Sequence, residues 1–121
     1  MKQLINIYKI LADETRLRMI ILLARNALCV CELSDILEIS QPNISKNLSK
    51  LRDQDLVSSE KNDKFVLYKL KTGNDVLKRE VNDILENLEN YPQLMADQKR
   101  KSDNEKLLAP CCMRVKKKTI E

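Results

Sequence analysis

Histidine and tryptophan are both absent from this chain of 121 residues, and glycine occurs once. Without histidine, the chain lacks the commonest zinc ligand and the commonest general base near neutral pH. Imidazole-built metal sites are excluded, and catalysis is not expected. A single glycine and 3% aromatic residues argue against an all-β barrel, and no glycine-rich loop is present to cradle an anion. Long apolar runs are missing too: none approaches the ~20 residues that cross a bilayer. The first stretch, Met1 to Leu11, is amphipathic and leads into charged residues, so it reads as a helix and not as a secretory leader. The expectation is a cytoplasmic chain with no membrane partner.

What is present fits a folded domain. Hydrophobic residues make up 43% and charged residues 33% of the chain, a balance typical of globular proteins. The length suits one core. A net charge of +4 permits nucleic-acid binding without requiring it. Four cysteines remain as chemistry-bearing side chains: Cys29, Cys31, Cys111 and Cys112. In a reducing compartment they are thiols, open to metal or redox chemistry.

The most informative stretch is Ser40 to Leu51. Ser40 is a helix cap and Pro42 suits a first turn. Ile44, Leu48 and Leu51 then recur at helical spacing, which predicts one buried face. The polar set comprises Ser40, Gln41, Asn43, Ser45, Lys46, Asn47 and Lys50. Amides suit base edges and lysines suit phosphates, so this set is the candidate DNA-reading face. A solvated amphipathic helix would show the same stripe, and the neighbouring segments weigh against that. Leu4, Ile7, Tyr8, Ile10 and Leu11 predict a first helix, and Asp13 caps a second over Glu14–Arg25. Glu32–Leu37 predicts a third, three residues before Ser40, giving a helix-turn-helix.

Strands are predicted from Leu56-Val57 and over Phe65–Leu70, joined by Lys61-Asn62-Asp63-Lys64. Such a hairpin is a wing, with Lys61 and Lys64 near phosphate. A last helix is expected from Asp75 to about Tyr91, with Val81, Ile84, Leu85 and Leu88 as a seam for a second copy. The predicted fold is mainly α with a small β-hairpin: a dimeric winged helix-turn-helix of order α-α-α-α-β-β-α. Residues 1–91 would form the DNA-binding and dimerisation domain. Pro92 would end the last helix, and 92–121 would be a polar, largely mobile, cysteine-bearing tail.

Taken together, these residues resemble a known family. Leu11-Ala12-Asp13-Glu14-Thr15-Arg16-Leu17-Arg18, Leu28-Cys29-Val30-Cys31-Glu32-Leu33, Ser40-Gln41-Pro42 with Ile44-Ser45 and Leu48, and Tyr68-Lys69-Leu70 come in order at close spacing. The pattern from Gln3 to Leu88 closely resembles the ArsR/SmtB family of winged-helix, metal-responsive repressors. The family's usual wing-tip glycine is replaced here by Asn62-Asp63. The Cys-Val-Cys piece is similar to the arsenic- and cadmium-sensing branch, in which thiols at the start of the third helix are inducer ligands. Some arsenic sensors add a third cysteine one turn further on, where this chain has Ser34. The resemblance implies a homodimer on double-stranded operator DNA, released when an inducer binds.

Cys29 and Cys31 can share a metal only where the chain is extended or just entering a helix, which is where they fall. Both could equally be small core residues. The vicinal Cys111-Cys112 pair lies among basic residues that favour thiolates. Soft thiolates without histidine favour As(III), and also Sb(III), Cd(II) or Pb(II), over hard ions. As(III) takes three thiolates. The expected ligands are Cys29, Cys31 and one of Cys111 or Cys112, with no organic cofactor. A thiol redox or persulfide sensor of the same fold is the alternative. A thiol metal carrier would use the same cysteines but would have no need for Gln41, Lys46 or a lysine-tipped wing.

Overall fold

Five consecutive side chains of one helix, Met19 through Leu23, are buried, and the other elements are wrapped around them. The computed structural model describes residues 1–62 and 65–106. The central helix is α2, Glu14–Arg25, started by the Asp13 carboxylate, which accepts from the Arg16 N–H at 3.0 Å. Helix α1, Lys2–Leu11, lies against it and buries Ile7 and Ile10. Next come α3, Val30–Leu37, and α4, Gln41–Asp53. These two helices pack on each other through Leu33, Ile36, Ile44, Leu48 and Leu51, each no more than 2% exposed. Side chains buried this fully contribute about 1.5–3 kcal/mol each, enough to hold two short helices that would not persist alone.

Strands β1, Val57–Asn62, and β2, Phe65–Leu70, form an antiparallel hairpin, with Val57 opposite Leu70 and Asn62 opposite Phe65. Besides packing on α2 and α4, the hairpin is linked to the chain before α3 by an isolated bridge. Leu28 donates its N–H to the Tyr68 carbonyl at 2.9 Å, and Tyr68 returns one at 2.8 Å. Helix α5, Asp75–Glu86, is capped by Asn74, whose Oδ1 accepts from the Leu77 N–H at 3.0 Å. Mainly helical and with one two-stranded sheet, the architecture is the winged helix-turn-helix that the sequence predicts.

Three boundaries differ from expectation. Helix α3 begins at Val30, two residues early, because Glu32 reaches back to the Cys29 N–H and closes the first turn. Helix α5 stops at Glu86 rather than near Tyr91. The Asn87 Nδ2 takes the Asp83 carbonyl at 2.8 Å, and a single 3₁₀ turn, Leu88–Asn90, follows. Pro92 was expected to mark the start of a mobile tail. It opens a further helix instead, α6, Pro92–Lys106. Proline is well suited to a first helical position, where no N–H is needed. Helix α6 has little apolar stripe: Leu94 is buried, but so are Asp97 and Lys101. Polar contacts to α2 and α3 fix it, which hydrophobic periodicity does not reveal. No helix among the described residues is long and apolar enough to cross a membrane.

Candidate nucleic-acid interface and thiol site

The turn between α3 and α4 is closed by two non-glycine devices. Glu38 adopts the left-handed conformation at φ 58° and ψ 45°, which is uncommon for a residue bearing a side chain. Ser34 holds the turn on both sides: its carbonyl accepts from the Ile39 N–H at 3.2 Å, and its hydroxyl donates to the Ile39 carbonyl at 2.5 Å. Ser34 thus serves the helix-turn-helix geometry. Ser40 then caps α4, with its hydroxyl accepting from the Asn43 N–H at 3.4 Å.

Of the polar set expected on α4, Gln41, Asn43, Ser45, Lys46 and Lys50 are exposed, and so is the cap residue Ser40. Asn47 is not part of that surface. It is 6% exposed, on the inner side of the helix between Ile44 and Leu48, where a step of three from Ile44 brings it round to the core. Its Oδ1 accepts from Arg16 Nη1 at 3.3 Å, and its Nδ2 donates to the Asn43 carbonyl at 3.0 Å and to Asn43 Oδ1 at 2.9 Å. Ser49 and Arg52 are exposed as well and were missed by sequence reasoning, although both adjoin the named cations. The exposed amides cluster in the first turn of α4, at the electropositive end of its dipole. On the wing, Lys61 is exposed, as is Lys69 on the second strand. Lys64 lies outside the described residues.

The thiol pair sits at the opposite end of α3. Cys29 is its N-cap, extended at φ −95° and ψ 172°, and is 2% exposed; Cys31 is partly exposed in the first turn. Their sulfurs are 3.3 Å apart, in contact but well beyond the ~2.05 Å of a disulfide bond. The extended cap residue is what allows this, since two positions on a regular helix would diverge. Glu32, 4% exposed, accepts from the Cys29 N–H at 3.0 Å through Oε1. No group of three cysteine, aspartate or glutamate side chains able to hold a metal occurs among the described residues. Cys111 and Cys112 lie outside them.

Helix α6 ties the C-terminal end of α3 to the C-cap of α2, a feature absent from the sequence reading. Arg18 donates from Nε and Nη2 to the two Asp97 oxygens, both at 2.9 Å, and from Nη2 to the Leu37 carbonyl at 3.3 Å. Asp97 is 1% exposed. The hydrogen bond to Asp97 raises the Arg18 pKa above its ordinary value, against the effect of burial. Arg100 donates to the Ile36 carbonyl at 2.7 Å and to the Asp35 carbonyl at 2.9 Å. Two guanidinium groups thereby satisfy three successive carbonyls at the C-terminal end of α3. Further along, Lys101 Nζ contacts Asn26 Oδ1, three residues before Cys29.

The expected seam, which falls on α5 and the 3₁₀ turn after it, divides. Val81 and Leu88 are buried in the subunit's own core, at 3% and 8% exposure, while Ile84 and Leu85 are partly exposed. The larger uncovered apolar face is on α1, where Leu4, Ile5 and Tyr8 are 39%, 45% and 49% exposed. Tyr8 meets α5 by donating its hydroxyl to Glu80 Oε1 at 3.4 Å.

A capped recognition helix, a turn set by the preceding helix and a lysine-bearing hairpin define a winged-helix DNA-binding protein. Residues 13–59 match the family described as bacterial regulatory protein, arsR family. The chain is 46% identical over 65 residues to the arsenic resistance transcriptional regulator ArsR1 of Pseudomonas putida, covering 53% of this chain and 51% of that one. It is 48% identical over 67 residues to the arsenical resistance operon repressor of Escherichia coli K12, covering 54% of this chain and 57% of that one. The matched stretch therefore spans about half the length of these curated relatives. HlyU from Vibrio cholerae superposes with a TM-score of 0.63 at 33% identity, covering 72% of this chain and 91% of that one. The chain belongs to the ArsR family of bacterial regulators.

Proposed function

We propose that this chain is a homodimeric transcriptional repressor that leaves its operator when thiolates at the start of α3 bind a thiophilic metalloid, As(III) foremost. The observation that carries this is the 3.3 Å separation of Cys29 and Cys31 sulfurs on the helix that packs against α4. Metal–thiolate bonds of about 2.3 Å closed at a near-right angle span an S···S edge of about 3.3 Å, while a tetrahedral angle widens it to about 3.8 Å. The pair therefore suits a pyramidal three-thiolate centre better than a tetrahedral ion such as Cd(II) or Zn(II). Sb(III) shares that geometry and remains a competing inducer.

The third thiolate comes from Cys111 or Cys112. Ser34 is committed to Ile39, and no third metal-holding partner stands beside the pair among the described residues. Helix α6 runs toward the α2–α3 junction through the Lys101–Asn26 contact. Four residues separate Lys106 from Cys111, five steps of chain with a reach of up to about 17 Å. That favours a ligand from the same subunit. Bound inducer supplies three thiolate bonds; this chain's residues supply the transmission, because α3 carries both the thiols and the turn that aims α4.

Dimerisation uses the uncovered α1 face together with Ile84 and Leu85, and it places two α4 helices about one DNA turn apart. The test is a gel shift on an inverted repeat, with and without arsenite, paired with arsenic absorption spectroscopy. Release accompanied by three sulfurs per arsenic is expected. Unchanged binding in arsenite would refute the inducer.

A second reading uses the same sulfurs. Two thiols in contact are able to pass two electrons and two protons to a hydroperoxide, forming a disulfide while the oxidant leaves as alcohol and water. Release by hydroperoxide but not by arsenite would select it.

A further inference from the structure

We propose that Arg16 and Asn47 lock the side-chain amide of Asn43 in one orientation, so that α4 presents a hydrogen-bond donor at that position and discriminates against cytosine. This rests on the reading of α4 as the recognition helix. The argument concerns which end of each amide is which, and the chemistry decides it. Arg16 has only donors, so the Asn47 atom 3.3 Å from its Nη1 is the oxygen. The other end of Asn47 is then its NH₂. It lies 3.0 Å from the Asn43 backbone carbonyl, which can only accept. Two independent partners thus give the same orientation of Asn47.

The consequence passes to Asn43. The Asn47 NH₂ also stands 2.9 Å from the Asn43 side chain, and it can meet an oxygen there but not a second NH₂. The Asn43 Oδ1 is therefore turned inward toward Asn47, and its Nδ2 is left to the exposed side. Asn47 is buried, so water does not replace a lost partner and a reversed Asn43 is disfavoured. Asn43 is exposed in the first turn of α4, the part of a recognition helix that reaches base edges.

An NH₂ facing the major groove pairs with guanine O6 or N7, thymine O4 or adenine N7; cytosine offers only its own N4 donor. With its oxygen turned away, Asn43 does not make the bidentate pair with adenine that a freely rotating asparagine makes. One base pair of the operator should therefore prefer guanine or thymine over cytosine on the contacted strand. The expected margin is about three- to tenfold, the value of one net hydrogen bond. Arg16 and Asn47 are positioning residues here, and neither needs to touch DNA.

The experiment measures competition binding on operator panels in which every base pair is varied singly. N43A identifies the position by flattening preference at one base pair. In N47D, Arg16 still has an acceptor, but the carboxylate cannot donate to Asn43. Asn43 then turns its NH₂ inward and its oxygen outward, and preference at that same pair should shift toward cytosine N4 or adenine N6. N47L, which removes the donor without adding charge, should flatten the preference and serves if N47D does not fold. Parental preference retained in both N47D and N47L, while N43A erases it, overturns the relay. If N43A and Q41A leave every position unchanged, α4 is not the reading helix, and the proposal falls with that premise.

Discussion

Arg18 and Asp97 are joined by two 2.9 Å hydrogen bonds across 79 residues of sequence, and this pair seats α6 on α2. The aspartate is 1% exposed and the arginine side chain 13%. Removing one member of such a pair strands the other charge in a poorly solvated place. Asp97→Ala is expected to lower the unfolding free energy by about 3 kcal/mol, a drop of about 10 °C in Tm for a chain of this size. Thermal denaturation followed by circular dichroism measures it. Because the Arg18 pKa is raised, its contribution is complete below the ordinary arginine range and is lost only as pH climbs through the raised value. Loss of the pair on the Arg18 side should therefore be invisible anywhere near neutral pH.

The cations around α4 and the wing predict a salt dependence. Lys50→Ala and Lys61→Ala should weaken binding to operator and unrelated DNA alike, each lowering the log–log salt slope by about 1. Lys46→Ala should behave in the same way. Gln41→Ala should instead change the base preference. A slope that stays at the parental value in all three lysine variants would remove these residues from the phosphate contacts.

Burial reshapes the test of assembly. Leu88→Glu would put a charge into the subunit's own core and is expected to unfold the chain, which says nothing about a partner. Ile5→Glu and Tyr8→Glu change the uncovered α1 face. The expected result is a folded monomer by light scattering, with operator affinity lost. A folded dimer in the double variant would move the interface elsewhere.

For the thiols, Cys29→Ser should leave fewer than three sulfurs on arsenic and abolish release, while operator binding without inducer persists. The double variant Cys111→Ser, Cys112→Ser should do the same. If that variant still gives a three-sulfur signal and is still released, the third thiolate comes from elsewhere. A hundredfold loss of operator affinity requires the inducer to favour the released state by about 2.7 kcal/mol, modest beside three thiolate bonds.

Legibility followed the physics of each segment. Asp13, Ser40 and the leucine spacing of α4 are strong local signals, and α2 and α4 were placed well from them. Asn47 was misplaced because its polarity suggested the surface while its position, three beyond Ile44, pointed inward. Helix α6 was illegible since it docks through Arg18–Asp97, Arg100 and Lys101, and long-range polar pairs leave no periodic trace in sequence. Ser34 was readable only as the lack of a thiol; its hold on Ile39 depends on the turn itself. The cysteine pair was legible as chemistry, whereas the extended cap that brings the sulfurs together required the Glu32 contact to Cys29.

The bridge between Leu28 and Tyr68 makes the hairpin a direct neighbour of the thiol pair. Cys29 is one peptide bond from a ladder rung shared with β2, and three strand residues, about 10 Å of rise, carry that rung to Phe65 near the wing tip. A rearrangement of the Cys29 backbone would therefore pull on a strand whose register sets which hairpin side chains face outward on each side, and a slip of one residue exchanges its two faces. On the proposed function, the chain would have two grips on DNA governed from one peptide: the groove-reading helix through the far end of α3, and the wing through this rung. The Tyr68 amide is the reporter for the second, and its hydrogen exchange should change with inducer in the absence of DNA.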